Sequence, residues 1–244
     1  MAKPKSKYKR VVVKISGEGF CTERGYGIDK GRVDSLAREL KAAHDIGAEL
    51  AVVVGVGNIV RGGELSKLGT NRTQADYGGM IATVINALIL QDALEKLGIG
   101  VHVQIAVEIH KMVEPYNRRN CLNYLSQSNI VLLAGGTGNP YFTTDSAAAL
   151  RAIEIGADVF LKATKVDGVY SAAPVLDPKA ELFHRLTYSQ VINQNLKAID
   201  PTAITLCMEN HLPIIVFNLR KQNNIQRAVE GEPIGTFIGS DEDE

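Results

Sequence analysis

Short apolar runs alternate along this chain with longer segments whose apolar residues follow helical spacing. The runs are continuous and rich in Val, Ile and Leu, which is typical of strands buried on both faces of a parallel sheet. The predicted strands are Lys9–Ile15, Leu50–Val54, Val101–Ala106, Ile130–Ala134, Asp158–Ala163, Pro213–Asn218 and Thr236–Ile238.

The segments between the strands predict helices. Asp29 is placed to cap the first, which continues to Gly47, and Glu108–Leu125 is interpreted as a helix interrupted near Pro115. The other predicted helices are Thr73–Leu97, Asp145–Ile155, Thr187–Asn193, Pro201–Asn210 and Asn224–Val229. Regular alternation of strand and helix predicts an α/β fold, a three-layer αβα sandwich with a mostly parallel central sheet.

Four of the predicted strands end in loops that carry glycine or threonine, after Ile15, Val54, Ala134 and Ala163. In open parallel sheets, ligands bind in loops at the carboxyl ends of the strands. We therefore expect these four loops to lie around one edge of the sheet.

The clearest of these loops lies in Leu132–Asp145, with the sequence LLAGGTGNPYFTTD. A buried strand ends there in glycines and hydroxyls, and a helix begins at the acid. A glycine-rich turn of this kind gathers backbone N–H groups beside the positive end of the helix dipole. The stretch therefore predicts an anion site, although an ordinary strand-to-helix turn would have the same pattern.

Charged residues near these loops suit phosphoryl transfer, which needs cations around the transferring group and acids that hold them. Lys14 precedes the Gly17 loop within its strand, and Arg61 follows the second strand. The candidate acids are Asp76, Asp145, Asp167 and Asp200. Asp145 would also serve as an ordinary helix N-cap.

Composition excludes several other classes. Lys+Arg and Asp+Glu both number 27, so no overall charge indicates nucleic acid or a membrane as a partner. The chain has three widely spaced cysteines, which predicts reduced thiols and a cytoplasmic location. The apolar region Met80–Leu90 is too short to span a bilayer. The five histidines share no motif with a nucleophile, so we predict neither a hydrolase triad nor a metal site.

The loop sequences match neither the P-loop motif nor the dinucleotide fingerprint. From about Tyr8 to Gly239, however, the chain resembles the bacterial uridylate (UMP) kinases of the amino-acid-kinase superfamily. The motifs that carry the resemblance are Lys14–Glu18, Gly57–Gly62, Asp76–Met80, Gly136–Asp145 and Lys162–Tyr170.

The resemblance implies reversible transfer of a phosphoryl group from ATP, carried with Mg²⁺, to UMP in pyrimidine nucleotide synthesis. It implies one domain over 1–244, with a UMP half at about 8–160, an ATP half at about 161–239, and tails at 1–7 and 240–244. It also implies a homohexamer activated by GTP and inhibited by UTP, with Thr22–Gly27 linked to the activation.

Residue roles follow from the same resemblance. Lys14, Asp145 and Asp200 correspond to catalytic positions, and Lys162 and Lys165 are alternatives for a second cation. The ATP-binding positions are Lys14, Ile15, Ser16, Gly17, Gly57, Arg61, Thr164 and Tyr170. The UMP-binding positions are Val56, Asp76, Thr137, Gly138, Asn139, Pro140, Tyr141, Phe142, Thr143 and Thr144.

Two positions depart from the family's pattern. Val56 replaces the middle of three glycines, whose N–H contacts the UMP phosphate in the family. We expect Val56 to keep this N–H contact in an extended conformation, because valine resists positive φ. Ala173 stands where an aspartate is common, which predicts weaker binding of ATP or magnesium unless Asp177 substitutes.

Two alternatives remain open from the sequence. A kinase on the same fold that acts on a carboxylate or carbamate should lack the Thr137–Thr144 run. A non-catalytic nucleotide-binding protein, such as the metal-storage relatives, is disfavoured by Lys14 and Asp145.

Overall fold

In the computed structural model, the described residues are 5–22, 25–60, 69–109, 111–173, 177, 179–197 and 199–240. The strands are β1 Arg10–Ile15, β2 Glu49–Val54, β3 Val101–Ile105, β4 Glu114–Pro115, β5 Ile130–Ala134, β6 Val159–Thr164, β7 Val169–Tyr170, β8 Leu182–Phe183, β9 Arg185–Thr187, β10 Ile214–Asn218 and β11 Thr236–Gly239. The helices are α1 Lys30–Asp45, α2 Arg72–Glu95, α3 Arg118–Ser126, α4 Thr144–Ile155, α5 Tyr188–Asn193, α6 Pro201–Glu209 and α7 Asn224–Glu230, and Gly17–Phe20 is a 3₁₀ turn.

The central sheet has nine strands in the order β4-β3-β5-β2-β1-β6-β10-β11-β9. Every neighbouring pair is parallel except β10 and β11. The continuous apolar runs of β1, β2, β5 and β6 occupy its centre, where both faces of each strand are covered. The predicted mostly parallel sheet is therefore confirmed.

Helices cover the two faces of the sheet. Alternate residues of β1 point to opposite sides: Val11, Val13 and Ile15 pack in one buried cluster with residues of α1, α2 and α7. Val12 belongs to a second buried cluster with residues of α3, α4, α5 and α6. The predicted αβα sandwich is confirmed, and Lys14, by alternation, lies on the same face as Val12 and α4.

The predicted helix Glu108–Leu125 is wrong in its first half. Glu114 and Pro115 form the edge strand β4, and α3 begins only at Arg118, where the Asn117 side chain accepts a hydrogen bond from Asn120 N at 3.1 Å. Proline lacks the N–H that a helix interior requires, but an edge strand tolerates it. The short strands β7, β8 and β9 carried no periodicity long enough to predict.

Among the described residues, α2 alone is long and apolar enough to cross a membrane by length and composition. Half of its apolar window is buried. Ala87, Leu90 and Leu94 are fully buried in the cluster that includes β2, β3 and β5. This burial is that of a helix packed against a sheet.

Candidate active site

The carboxyl ends of β1, β2, β5 and β6 meet at one edge of the sheet. Ile15 lies opposite Val54 on one side and Ala163 on the other, and Val53 lies opposite Leu133. The four loops that follow these strands therefore lie around one edge of the sheet, as the sequence predicts.

Two lysines lie side by side beneath this edge. Lys14 in β1 and Lys162 in β6 are directly opposite each other in the parallel register. Both are more than nine-tenths buried. A pair of buried like charges is costly unless an anion lies between them.

Asp145 supplies that anion. Its Oδ1 lies 2.9 Å from Lys14 Nζ, and its Oδ2 forms an ion pair with Lys162 Nζ. The residue stands in the first turn of α4, where the positive end of the helix dipole favours a carboxylate. Asp145 thus holds both ammonium groups at the end of the sheet.

The helix cap is Thr143, so the alternative that Asp145 is merely the N-cap is wrong. Thr143 Oγ1 accepts hydrogen bonds from the backbone N–H groups of Asp145 at 3.1 Å and Ser146 at 3.3 Å. The carboxylate of Asp145 is therefore available for the lysines.

The charges of this triad shift the pKa values of its members. Burial by itself raises the pKa of Asp145, but the charges of Lys14 and Lys162 outweigh it and lower the pKa to about 2. Burial lowers the pKa of Lys162, Asp145 opposes this, and the positive charge of Lys14 lowers it further. At neutral pH the carboxylate is ionised.

The lowered pKa of Lys162 leads to a test with pH. Raising the pH removes the ammonium charge of Lys162. The kcat/KM of a reaction that depends on this charge should therefore begin to fall at a pH below 10.5, the ordinary pKa of lysine. The Lys162→Arg enzyme should hold its activity to higher pH, because a guanidinium stays charged. If the activity of Lys162→Arg falls at the same high pH as that of the parent, another group is responsible for the fall.

A cavity of about 720 Å³ opens above the lysines. Its lining includes Lys14, Ser16, Gly17, Glu18, Gly55, Val56, Gly57, Thr144, Lys162, Thr164, Lys165, Tyr170 and Ala173. Most ATP-binding positions implied by the resemblance are therefore brought together here. Arg61 lies outside the described residues, as do Glu23 and Arg24 of the Thr22–Gly27 segment.

Two glycine loops approach each other closely at the cavity. Gly55 N donates to Ile15 O at 2.8 Å, and a Cβ atom on Gly17 would lie only 2.2 Å from Gly57 N. Such contact requires glycine at position 17. Val56 is not among the residues with positive φ, in agreement with the expected conformation.

The loop at residues 135–144 is held from two sides. Gly135 N donates to Thr83 Oγ1 at 2.7 Å, and Tyr141 N donates to Asp76 Oδ2 at 2.9 Å. Arg72 Nε in turn donates to both oxygens of Asp76, at 2.9 and 2.7 Å. Tyr141 has a φ of 71° and is 68% exposed. Apart from Thr144, the loop stands outside the cavity lining.

Asp200 contacts the amino ends of α4 and α6, and its negative charge opposes the lowering of the Lys162 pKa. It caps α6 by accepting from Ala203 N at 3.0 Å, and it accepts a hydrogen bond from Ser146 Oγ at 3.0 Å. The Thr143 hydroxyl also donates to it. Asp200 thereby joins the amino ends of α4 and α6 and fixes the turn that carries Asp145.

Two of the remaining candidates, Thr164 and Lys165, line the cavity. Thr164 Oγ1 accepts from Val166 N at 3.1 Å, and Lys165 Nζ lies 3.4 Å from Glu18 Oε2. Asp177 Oδ1 accepts from Lys179 N at 2.9 Å, so its carboxylate caps a local turn.

No group of three His, Cys, Asp or Glu side chains suited to a metal ion occurs in the described part of the chain. Asp145 and Asp200 are engaged by lysines and hydroxyls.

Comparison with known proteins gives concordant matches. The sequence model of the amino acid kinase family matches residues 9–218. The chain is 34% identical to the UMP kinase of Bacillus anthracis, with a TM-score of 0.92 and coverage of 96% of this chain and 97% of that one. It is 34% identical to the UMP kinase of Ureaplasma parvum, with a TM-score of 0.89 and coverage of 96% and 100%. The uridylate kinase of Archaeoglobus fulgidus is 29% identical, with a TM-score of 0.72 and coverage of 94% and 99%.

Proposed function

The chain belongs to the amino acid kinase family, and from this premise we propose that it is a UMP kinase, which transfers the γ-phosphoryl group of ATP to UMP. The observation that carries the proposal is the Asp145 carboxylate held between Lys14 and Lys162 at the carboxyl edge of the sheet. The similarity to UMP kinases over 96% of the chain supports the choice of acceptor.

The site's contribution to the reaction is electrostatic. In phosphoryl transfer the protein mainly positions the reactants and stabilises charge on the equatorial oxygens. Lys14 and Lys162 supply positive charge in a desolvated place, where each interaction is stronger than in water. Asp145 keeps the two ammonium groups at fixed positions before substrate arrives. Mg²⁺ bound to ATP would neutralise part of the phosphate charge.

The two substrates have separate sets of contacts. The cavity with Gly17, Gly57, Thr164 and Tyr170 suits the donor nucleotide. The loop Thr137–Thr144, with Asp76 and Val56, is assigned to the acceptor. Since α4 begins at the end of that loop, the acceptor phosphate would meet the donor phosphate at the lysine pair.

Release of ADP, measured with a coupled assay, tests this assignment. Parallel reactions contain UMP, CMP, glutamate or no acceptor. We expect rapid release with UMP and much slower release in the other three. Preference for glutamate would favour a carboxylate kinase, and no release above the acceptor-free rate would favour a non-catalytic nucleotide-binding protein.

Ala173 gives a prediction on the donor side. Ala173 is exposed and lines the cavity, and the Asp177 carboxylate is already engaged with Lys179 N. Ala173→Asp should therefore lower the KM for ATP, by about two- to tenfold if one polar contact is restored. Steady-state kinetics at saturating UMP provide the measurement, and Asp177→Ala is the companion variant. An unchanged KM in Ala173→Asp, or a higher KM in Asp177→Ala, would count against this account.

We also propose a homo-oligomer, of which a hexamer is the expected form. Tyr77, Ile81 and Ile85 are spaced four residues apart on α2 and are 39%, 53% and 46% exposed, so they form an apolar stripe along the helix. A second copy of the chain is the occupant we assign to this stripe.

Ile81→Glu should shift the protein to smaller species, because a carboxylate buried in an interface lacks a partner. Size-exclusion chromatography with light scattering measures the mass. The matched control is Ile192→Glu, at an isoleucine that is 41% exposed on α5. If the mass of Ile81→Glu equals that of the parent, the stripe is not the interface.

The remaining parts of the proposal follow the family resemblance. They are activation by GTP, inhibition by UTP, a place in pyrimidine nucleotide synthesis and a cytoplasmic location. The coupled assay with each effector added provides the measurement for the first two.

A further inference from the structure

Two asparagines form a reciprocal amide pair behind the glycine loops. Asn58 Nδ2 donates to Asn86 Oδ1 at 3.1 Å, and Asn86 Nδ2 donates to Asn58 Oδ1 at 2.8 Å. Both residues are fully buried. Asn58 follows β2, whereas Asn86 lies in the middle of α2, so the pair joins a loop to a rigid helix.

The second amide proton of each asparagine is also bound. Asn86 Nδ2 donates to Gly55 O at 2.8 Å, and Asn58 Nδ2 donates to Gly27 O at 2.9 Å. Gly27 N returns a hydrogen bond to Asn58 O at 2.8 Å. The pair therefore ties three backbone segments together: the loop at 55–58, the segment at Gly27, and α2.

The pair also lies directly against the other glycine loop. A Cβ atom on Gly17 would come within 2.5 Å of Asn58 Oδ1, as well as 2.2 Å from Gly57 N. The side chain of Asn58 thus limits how the two loops approach each other at the cavity.

Burial of two carboxamides is costly unless every group is paired, and apolar side chains would pack at this place without that requirement. A fully paired buried network fixes one geometry in return. The geometry fixed here is that of residues 55–58, and Gly55, Val56 and Gly57 line the cavity.

We propose that Asn86 is a positioning residue for phosphoryl transfer. By holding Asn58 and the Gly55 carbonyl, it keeps the loop at 55–58 in the conformation whose backbone meets the nucleotide phosphates. The expected loss of kcat rests on the proposed function. The expected loss of ATP binding does not depend on which acceptor the enzyme uses.

The test compares Asn86→Ala with Tyr188→Phe. The control also removes a buried hydrogen bond, from Tyr188 Oη to Leu212 O at 2.5 Å, near the opposite end of the sheet. Thermal unfolding measures the stability of each variant, calorimetric titration measures the dissociation constant for ATP, and steady-state kinetics measure kcat with UMP.

In Asn86→Ala we expect kcat to fall about 10- to 100-fold, as for a modest misplacement of reacting groups. The dissociation constant for ATP should rise at least about fivefold. Tyr188→Phe should keep kcat and the dissociation constant for ATP near the parental values, even if its Tm falls as much as that of Asn86→Ala.

A change of less than about fivefold in either quantity in folded Asn86→Ala would overturn the inference, and so would equal losses in Tyr188→Phe. If Asn86→Ala does not fold, Asn86→Ser is held to the same limits. A parent that is inactive with every acceptor but binds ATP would overturn the proposed function, and the ATP arm would still decide the role of Asn86.

Discussion

Asp145→Asn is expected to lower kcat by about 10²- to 10³-fold while changing the KM for UMP far less. The amide keeps the size of the carboxylate but carries no charge. Lys14 and Lys162 would then repel each other without a counter-ion, although both are more than nine-tenths buried. The ammonium groups would leave the positions where the transferring phosphoryl group develops its charge.

Steady-state kinetics with varied UMP separate kcat from KM for this variant. Asp158→Asn is the matched control, since its carboxylate accepts from Arg10 N at 2.9 Å at the opposite end of β6. We expect nearly parental kinetics from the control. An Asp145→Asn enzyme with normal kcat and a raised KM for UMP would make Asp145 a binding residue instead.

Lys162→Met should also lower kcat by about 10²- to 10³-fold, whereas Lys165→Met should cost less than about tenfold. Lys162 is buried against Asp145 and opposite Lys14. The Lys165 side chain is 60% exposed and lies 3.4 Å from Glu18. A charge in solvent is screened, whereas a desolvated charge acts more strongly on its neighbours.

The two lysine variants are compared by their single-turnover rates at saturating ATP and UMP, because these rates do not depend on product release. The two substitutions lie three positions apart in the chain and remove the same atoms. A larger loss of rate in Lys165→Met than in Lys162→Met would identify Lys165 as the second cation.

Much of the fold was predictable because its strands are continuous apolar runs. β1, β2, β5 and β6 were predicted to within a residue or two, and the parallel arrangement followed from the alternation with helices. That the four loops share one edge also followed, since parallel strands end on the same side. The failure at Glu108–Leu125 arose where Pro115 lies in a two-residue edge strand too short to leave a pattern.

Within the site, sequence alone left Lys162 and Lys165 undecided. The choice depends on the register of β6 against β1, which places Lys162 opposite Lys14. The roles of Asp200 and Asn86 depend likewise on contacts between distant segments. Asp200 accepts from Ser146, and Asn86 reaches Asn58 and Gly55. Local spacing carries no signal of such contacts.

The proposed transfer from ATP to UMP is tested most directly by following the phosphoryl group itself. ATP labelled in its γ-phosphoryl group is incubated with UMP and the full chain, and the products are separated. We expect the label to appear in UDP in an amount equal to the ADP formed, and to appear far more slowly with Asp145→Asn. Label found in inorganic phosphate, or no transfer to UMP, would contradict this expectation.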